Sequence, residues 1–361
     1  MWIYEKPDNL VEWWIESEKK FGGNVLFWMH NDKGALAPIT YDEIGRRIND
    51  VRGGLAGLGI GEGDGVGIIS ANRPEWAVLA FATYGRKARY IPMYEQELVQ
   101  TWKYIIRDSA LKFLLVSTRE IYEKVKDFTK EIETLEYIYV MESEGDNSLA
   151  ALERAGRENP AAPEIPHYDD IAVLIYTSGT IADPKGVLLT HGNLTYCSRA
   201  GYKIYPELNK ECVAISMLPW AHSYALSAEI NNWIQFGGSI GFMRDVTTLT
   251  EDLRLVKPHY LICVPRLFNR LYDGIQMQMS DAGGMKRKLF DAACAAARKK
   301  RELSEQGKRS LVNNIKYTLL DRLVFSKIRD ALGGRVVGSL TASAVMNKEI
   351  AEFFSDVGVP I

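Results

Sequence analysis

Apolar residues recur at two different periods along this chain, and up to about residue 140 the two alternate. Leu10, Trp13 and Trp14 share one face of Asp8–Phe21 while charged residues take the other, which predicts a helix. Ile44, Ile48, Val51, Leu55 and Leu58 recur at three- and four-residue steps and predict a second helix over Tyr41–Leu58, stopped by Gly59 and Gly61. Gly45, Gly53 and Gly54 interrupt that helix with residues that disfavour it. Between the helical patterns lie short apolar, β-rich runs at Val66–Ser70, Tyr90–Pro92 and Phe113–Ser117, with helices predicted over Trp76–Tyr84 and Leu98–Asp108. Strands alternating with helices predict an α/β fold with layered parallel sheets.

Polar residues and Pro160, Pro163 and Pro166 dominate Asn147–Asp170, which reads as a linker. The pattern resumes with a strand at Ile171–Tyr176, a loop rich in Gly, Ser and Thr, and a helix from about Thr190. Strands follow near Val213–Met217 and Tyr260–Val264. Arg266–Ala331 is almost wholly helical. Lys286–Lys308 within it is dense in Lys, Arg and Ala, but interspersed acids favour a solvated helix face over a lipid-binding one. Strand-like Arg335–Leu340, helical Lys348–Phe354 and apolar Val357–Ile361, read as the start of another strand, complete the chain. The expected organisation is a first α/β subdomain over 41–150, a linker over 151–170, and a second α/β subdomain over 171–361 with a helical insert at 266–331. Stopping at a buried strand makes the end look like a cut.

Composition narrows the function classes. The 361 residues, 47% hydrophobic and 25% charged, suit two or three globular domains and exclude disordered, collagenous and coiled-coil chains. Lys and Arg number 44 against 46 Asp and Glu, a balance unlike that of a dedicated nucleic-acid binder. Cys197, Cys212, Cys263 and Cys294 form neither a C-x-x-C pair nor a disulfide scaffold, so reduced thiols are expected. The five histidines include no H-E-x-x-H, so no protein-held zinc is expected. Glu5, Asp8 and Glu12 interrupt the N-terminal aromatics, so no signal peptide is read there. No run reaches the ~18 apolar residues of a membrane span. A cytoplasmic protein, soluble or peripheral to a membrane, is the expectation; oligomeric state is unread.

The strongest chemical signal is Tyr176-Thr177-Ser178-Gly179-Thr180-Ile181-Ala182-Asp183-Pro184-Lys185-Gly186-Val187. Glycines let backbone approach a ligand closely. Backbone N–H groups and hydroxyls donate to phosphate oxygens, and lysine adds a mobile positive charge. The spacing is not that of a Walker A loop, and Gly57–Gly67 holds no complete G-x-G-x-x-G. A glycine- and serine-rich turn can be merely structural, but that reading leaves Pro184-Lys185-Gly186 unexplained.

These residues resemble the phosphate loop of adenylate-forming enzymes, which include acyl-CoA synthetases, luciferases and peptide-synthetase adenylation domains. Gly63-Asp64-Gly65-Val66 with Asn72-Arg73-Pro74-Glu75-Trp76, and Leu218-Pro219-Trp220-Ala221-His222-Ser223-Tyr224, resemble further motifs of the family. Phe236-Gly237-Gly238, Val264-Pro265-Arg266 and the helical insert resemble its long-chain branch. The likeness runs from about residue 8 to the end. It implies the N-terminal portion of a long-chain fatty-acid–CoA ligase, which converts a fatty acid and ATP to acyl-AMP and then transfers the acyl group to coenzyme A. It further implies that Thr177, Ser178, Gly179, Thr180, Lys185 and Gly186 cradle phosphates, with Thr177 nearest Mg²⁺. His222 would join Lys185 at the reacting groups, although beside Trp220 and Tyr224 it reads equally well as a core residue. Arg266 would either organise an acyl channel or cap a strand end.

The departures from the family pattern are specific. Ile181-Ala182 replace a usual Thr-Gly, and Thr341-Ala342-Ser343-Ala344, aligned with an adenine-facing stretch, lacks both usual glycines. The family's Tyr-Gly-x-Thr-Glu motif, ribose-binding aspartate and small C-terminal domain would lie past Ile361. Residues 1–361 alone are therefore expected to be inactive. Two alternatives accompany the ligase reading: a non-catalytic relative binding an acyl chain, nucleotide or partner, and a fatty acyl-AMP ligase loading a carrier protein. Fatty acids partition into bilayers, which leaves a peripheral membrane association open.

Overall fold

A computed structural model describes residues 7–177, 183–205 and 207–361. Strands β1 (Val25–His30) and β2 (Leu36–Thr40) come first, then β3 (Gly65–Ile69), β4 (Arg89–Met93), β5 (Leu111–Val116) and β6 (Tyr137–Val140). A hairpin of β7 (Ile171–Thr177) and β8 (Lys185–Thr190) follows, then β9 (Val213–Ser216), β10 (Ser239–Phe242), β11 (Tyr260–Cys263) and β12 (Gly338–Thr341). The chain forms two compact units interleaved in sequence.

The first unit takes the chain up to Phe27, Pro38–Glu211 and Pro219–Ser239. Its six-stranded sheet runs β6-β5-β3-β4-β7-β8. The pairs β6–β5, β5–β3, β3–β4 and β4–β7 are parallel, and only β7–β8 is antiparallel. Every residue of β3 is buried, as expected of an inner strand covered on both faces. Trp102, Ile105 and Ile106 of the helix Val99–Asp108 pack with Ile69, Ile91 and Leu114 of the sheet.

The glycines inside the helix Tyr41–Gly57 have a packing cause. A Cβ on Gly53 would stand 2.6 Å from the Gly156 carbonyl oxygen, and one on Gly54 would stand 2.5 Å from that of Leu152. Both partners belong to the helix Leu149–Glu158. The stretch 147–170, read as a linker, thus begins with a helix, capped by the Ser148 side chain. Its polar sequence disguised an amphipathic helix that buries Leu149, Leu152 and Gly156.

The second unit takes Trp28–Ala37, Cys212–Leu218 and Ile240–Ile361. Its sheet order is β12-β11-β9-β10-β1-β2, with β11 parallel to both β9 and β12. The predicted helical insert is present as helices Pro265–Ala282, Gly284–Glu305 and Leu311–Leu320, a π-helical turn Asp321–Phe325 and a helix Ser326–Ala331. Phe268, Phe290 and Phe325 are buried there. Phe353 and Phe354 of the helix Lys348–Val357 close onto them, Phe354 lying 5.2 Å from Phe268 between ring centroids.

Five strands escaped the sequence reading. β1, β2, β6 and β10 were not expected, nor was β8, which makes the flanks of the phosphate-loop candidate an antiparallel pair ahead of the helix at His191. Val357–Ile361 is not a strand: the helix runs through Val357 and ends at Gly358, with φ 93°. Pro360 nevertheless accepts from the Ser339 N–H at 2.9 Å, which brings this segment alongside β12. Among the described residues no helix is long and apolar enough to cross a membrane.

Candidate active site

Strands β7 and β8 fix the residues on either side of the phosphate-loop candidate. Tyr176 is buried and donates to Asp108 at 2.7 Å, and burial with this bond pushes its phenol well above the ordinary range. Gly186 stands opposite Tyr176 in register, and a Cβ there would meet the Tyr176 ring at 3.1 Å. Glycine therefore lets the ring lie across the partner strand. One residue on, Thr177 pairs with Lys185, and both are exposed. A hydroxyl and an ammonium thus face one another at the neck of the loop. Ser178, Gly179 and Thr180, with Ile181 and Ala182, lie outside the described residues.

His222 sits in a second motif of the same unit. The turn is anchored by Trp220, whose side chain is fully buried against Trp76 at 5.4 Å and Phe27 at 6.0 Å between centroids. The Trp220 N–H donates to the Asn72 side chain at 2.8 Å. Pro74 is in the first turn of the helix Pro74–Tyr84, where its missing N–H has no consequence. Burial pushes the Glu75 carboxyl up, but the Arg47 and Arg73 guanidiniums outweigh it and hold it below the usual range. The Asn72–Trp76 motif is thereby a buttress for the histidine turn. Asn72 and Trp76 carried no assigned role in the sequence reading; their signal was the motif's co-occurrence with Leu218–Tyr224.

The imidazole itself is exposed, not a core residue. Its Nδ1 accepts the Tyr224 N–H at 3.2 Å at the start of a short helical turn. In the neutral ring the proton is then on Nε2, which can donate to an oxyanion.

The second unit holds Ala342, Ser343 and Ala344, directly after β12. Ser343 has φ 71°, the left-handed conformation that glycine adopts freely and serine does not. Arg266 is exposed in the first turn of the helix Pro265–Ala282. Among the described residues no cluster of three or more His, Cys, Asp or Glu could hold a metal ion.

A family model described as AMP-binding enzyme matches residues 25–361. A peroxisomal long chain acyl-CoA synthetase 6 of Arabidopsis thaliana is 32% identical over 330 residues, covering 87% of this chain and 45% of the relative. A long-chain-fatty-acid–CoA ligase, FadD15, of Mycobacterium bovis is 29% identical, covering 98% of this chain and 59% of the relative. The chain spans about half the length of the curated relatives it matches. Among solved structures, the adenylation domain of a Mycobacterium chelonae carboxylate reductase superposes with TM-score 0.75 at 17% identity, over 99% of this chain and 57% of that one. The inhibitor-bound N-terminal domain of FACL13 from Mycobacterium tuberculosis gives 0.70 at 16% identity, over 97% and 74%. These two show the same fold.

Proposed function

Starting from a chain that belongs to the AMP-binding enzyme family, we propose that the protein is a long-chain fatty-acid–CoA ligase. A carboxylate oxygen of the fatty acid bonds to the α-phosphorus of ATP, the bond to the β-phosphate oxygen breaks, and pyrophosphate leaves. The thiol of coenzyme A then gives up its proton, bonds to the acyl carbon and expels AMP. The choice of a long-chain acid rests on the names of the sequence relatives.

The observation that carries this reading is the hairpin neck, with exposed Thr177 opposite exposed Lys185 at the ends of a Ser/Gly/Thr loop. Lys185 supplies charge that travels with the phosphates, and Thr177 supplies a hydroxyl near the magnesium of MgATP. Ser178, Gly179, Thr180 and Gly186 complete the cradle. Charge neutralisation and positioning are what phosphoryl chemistry asks of a protein. His222, held by its Nδ1, offers Nε2–H to an oxygen of the reacting carboxylate or α-phosphate. Ala342, Ser343 and Ala344 would lie against adenine. The reading includes a cytoplasmic enzyme that meets its substrate at a membrane surface.

Incubating the protein with MgATP, coenzyme A and palmitate tests the proposal. Residues 1–361 alone are expected to form neither product; carried in a longer chain together with the C-terminal portion of such a ligase, they are expected to give acyl-CoA and AMP in equal amounts. Acyl transfer to a carrier protein but not to coenzyme A would replace the acceptor. Lys185→Ala is expected to weaken MgATP binding roughly tenfold, the scale of one charge-assisted phosphate contact; unchanged binding would remove the hairpin from the site.

A further inference from the structure

The helix Tyr41–Gly57 carries one more glycine, Gly45, and what it makes room for is a charge. A Cβ there would stand 1.8 Å from Oε1 of Glu18, which belongs to the N-terminal helix Leu10–Phe21. Alanine would serve the helix better at this position, so helix stability is given up to admit a carboxylate. Gly85 makes similar room for a guanidinium, since a Cβ on it would meet Cδ of Arg52 at 2.9 Å. Both side chains so admitted line one cavity of the first unit, a space of about 510 Å³ bounded by the two helices and the strap 160–163. Val11, Trp14, Ile48 and Phe81 supply its apolar wall. That size lies within the ~300–1,000 Å³ of ligand pockets.

The two charges do not answer one another. Among the described residues neither Glu18 nor Arg52 makes an ion pair; they act on each other only at longer range. Arg52 is 8% exposed and donates through Nε to the Ala161 carbonyl at 2.8 Å and through Nη2 to Asn49 Oδ1 at 2.7 Å. Its Nη1 has no partner among the described residues and keeps accessible surface. Glu18 accepts the Trp14 indole N–H through Oε2 at 3.1 Å, which leaves Oε1 without a donor. Burial pushes the Glu18 carboxyl up and the Arg52 guanidinium down, and Arg86 adds to the second effect.

A charge held away from water calls for a counter-charge. This cavity presents one of each sign beside an apolar wall. A simple acid would be repelled by Glu18, and a simple amine by Arg52. A zwitterion satisfies both, with its carboxylate on the planar guanidinium, its ammonium on Glu18 and its apolar body against Trp14, Ile48 and Phe81. We propose that this cavity is a binding site for a small zwitterion with an apolar body, the chemistry of an apolar α-amino acid. It shares no residue with those assigned to the ligase reaction and goes beyond that reading. Its test uses no ATP, coenzyme A or fatty acid, so failure here leaves the ligase chemistry standing.

The 361-residue chain is titrated in a calorimeter with L-phenylalanine, L-leucine, phenethylamine and 3-phenylpropionate. The two amino acids are expected to bind roughly tenfold or more tightly than the amine or the acid, each of which leaves one charge unanswered. Glu18→Gln and Arg52→Met are each expected to weaken amino-acid binding by roughly tenfold or more. Ala162 is exposed on the strap and lines the cavity, so Ala162→Trp is expected to fill it and abolish binding. Circular dichroism checks that each variant is folded. Arg52 also ties down Ala161, so Glu18→Gln and Ala162→Trp carry the test if Arg52→Met does not fold. No binding of either amino acid overturns the proposal, as does equal binding of phenethylamine or 3-phenylpropionate. So does undiminished binding by Glu18→Gln or by Ala162→Trp. Binding that His222→Ala removes would place the amino acid among the reacting groups and would likewise overturn it.

Discussion

Ser343 is the one exposed position after β12 where the backbone demands what the side chain resists. With φ 71° it pays the left-handed penalty of a Cβ, about 1 kcal/mol or more. Ser343→Gly should therefore raise the unfolding free energy by about 0.5–1 kcal/mol, net of the greater freedom glycine gives the unfolded chain. Urea denaturation followed by circular dichroism reads this directly; an unchanged or lower midpoint would show that the serine is accommodated without strain. The sequence reading marked Ala342 and Ser343 together as glycine replacements, and only the structure separates them, because φ is not written in residue identity. His222 shows the same limit. Its motif was legible, but whether the ring faces solvent or core depends on Trp220 and Asn72, and Asn72 is 150 positions upstream in the chain.

Helices and strands with their own periodicity were legible, and those defined by a distant partner were not. The helix Leu149–Glu158 was hidden by polar residues because its buried face is narrow and rests on glycines of another helix. That contact is tight enough to test. A Cβ on Gly156 would lie 1.7 Å from the Asp50 carbonyl oxygen, which is backbone and cannot rotate away. Gly156→Ala should force the helices apart and cost about 2–3 kcal/mol, at the upper end for overpacking, although alanine favours the isolated helix. A gain in the urea midpoint would show that the pair slides without loss.

A second test at this scale concerns how the N-terminal helix Leu10–Phe21 is held. His191 is buried, stacks edge-on to Tyr84 and accepts the Leu10 N–H through Nδ1 at 3.3 Å. Burial, only partly opposed by Asp170, pushes its pKa down to about 4. In the unfolded chain the same ring titrates near 6.5. Below that pH the unfolded state takes up a proton that the folded state refuses, so stability falls as pH drops from about 6.5 to about 4 and no further from this group. The full loss is about 3 kcal/mol. His191→Asn should flatten the pH dependence of stability over that window. An identical slope in the variant would mean that His191 is protonated in the fold.

At the scale of the whole chain, compactness does not follow sequence order. The second unit draws β9 from Cys212–Leu218, and β9 adjoins β11 within its sheet. A fragment beginning at Ile240 keeps the helical insert, β11 and β12 but leaves β11 with one flank unpaired. A cut in 151–170 has the same fault in the first unit, since it removes β7 and β8 from the sheet that contains β3 to β6. Inner strands lose both ladder hydrogen bonds and apolar cover when a neighbour is absent, and exposed ladder edges invite aggregation. Residues 171–361 and 240–361, expressed alone, should therefore sediment as aggregates or give poorly dispersed amide spectra, while 1–361 gives dispersed ones. A monomeric 240–361 with a cooperative urea transition would show that the insert and two strands suffice. It would also show that β9 contributes a surface to this unit, not its stability.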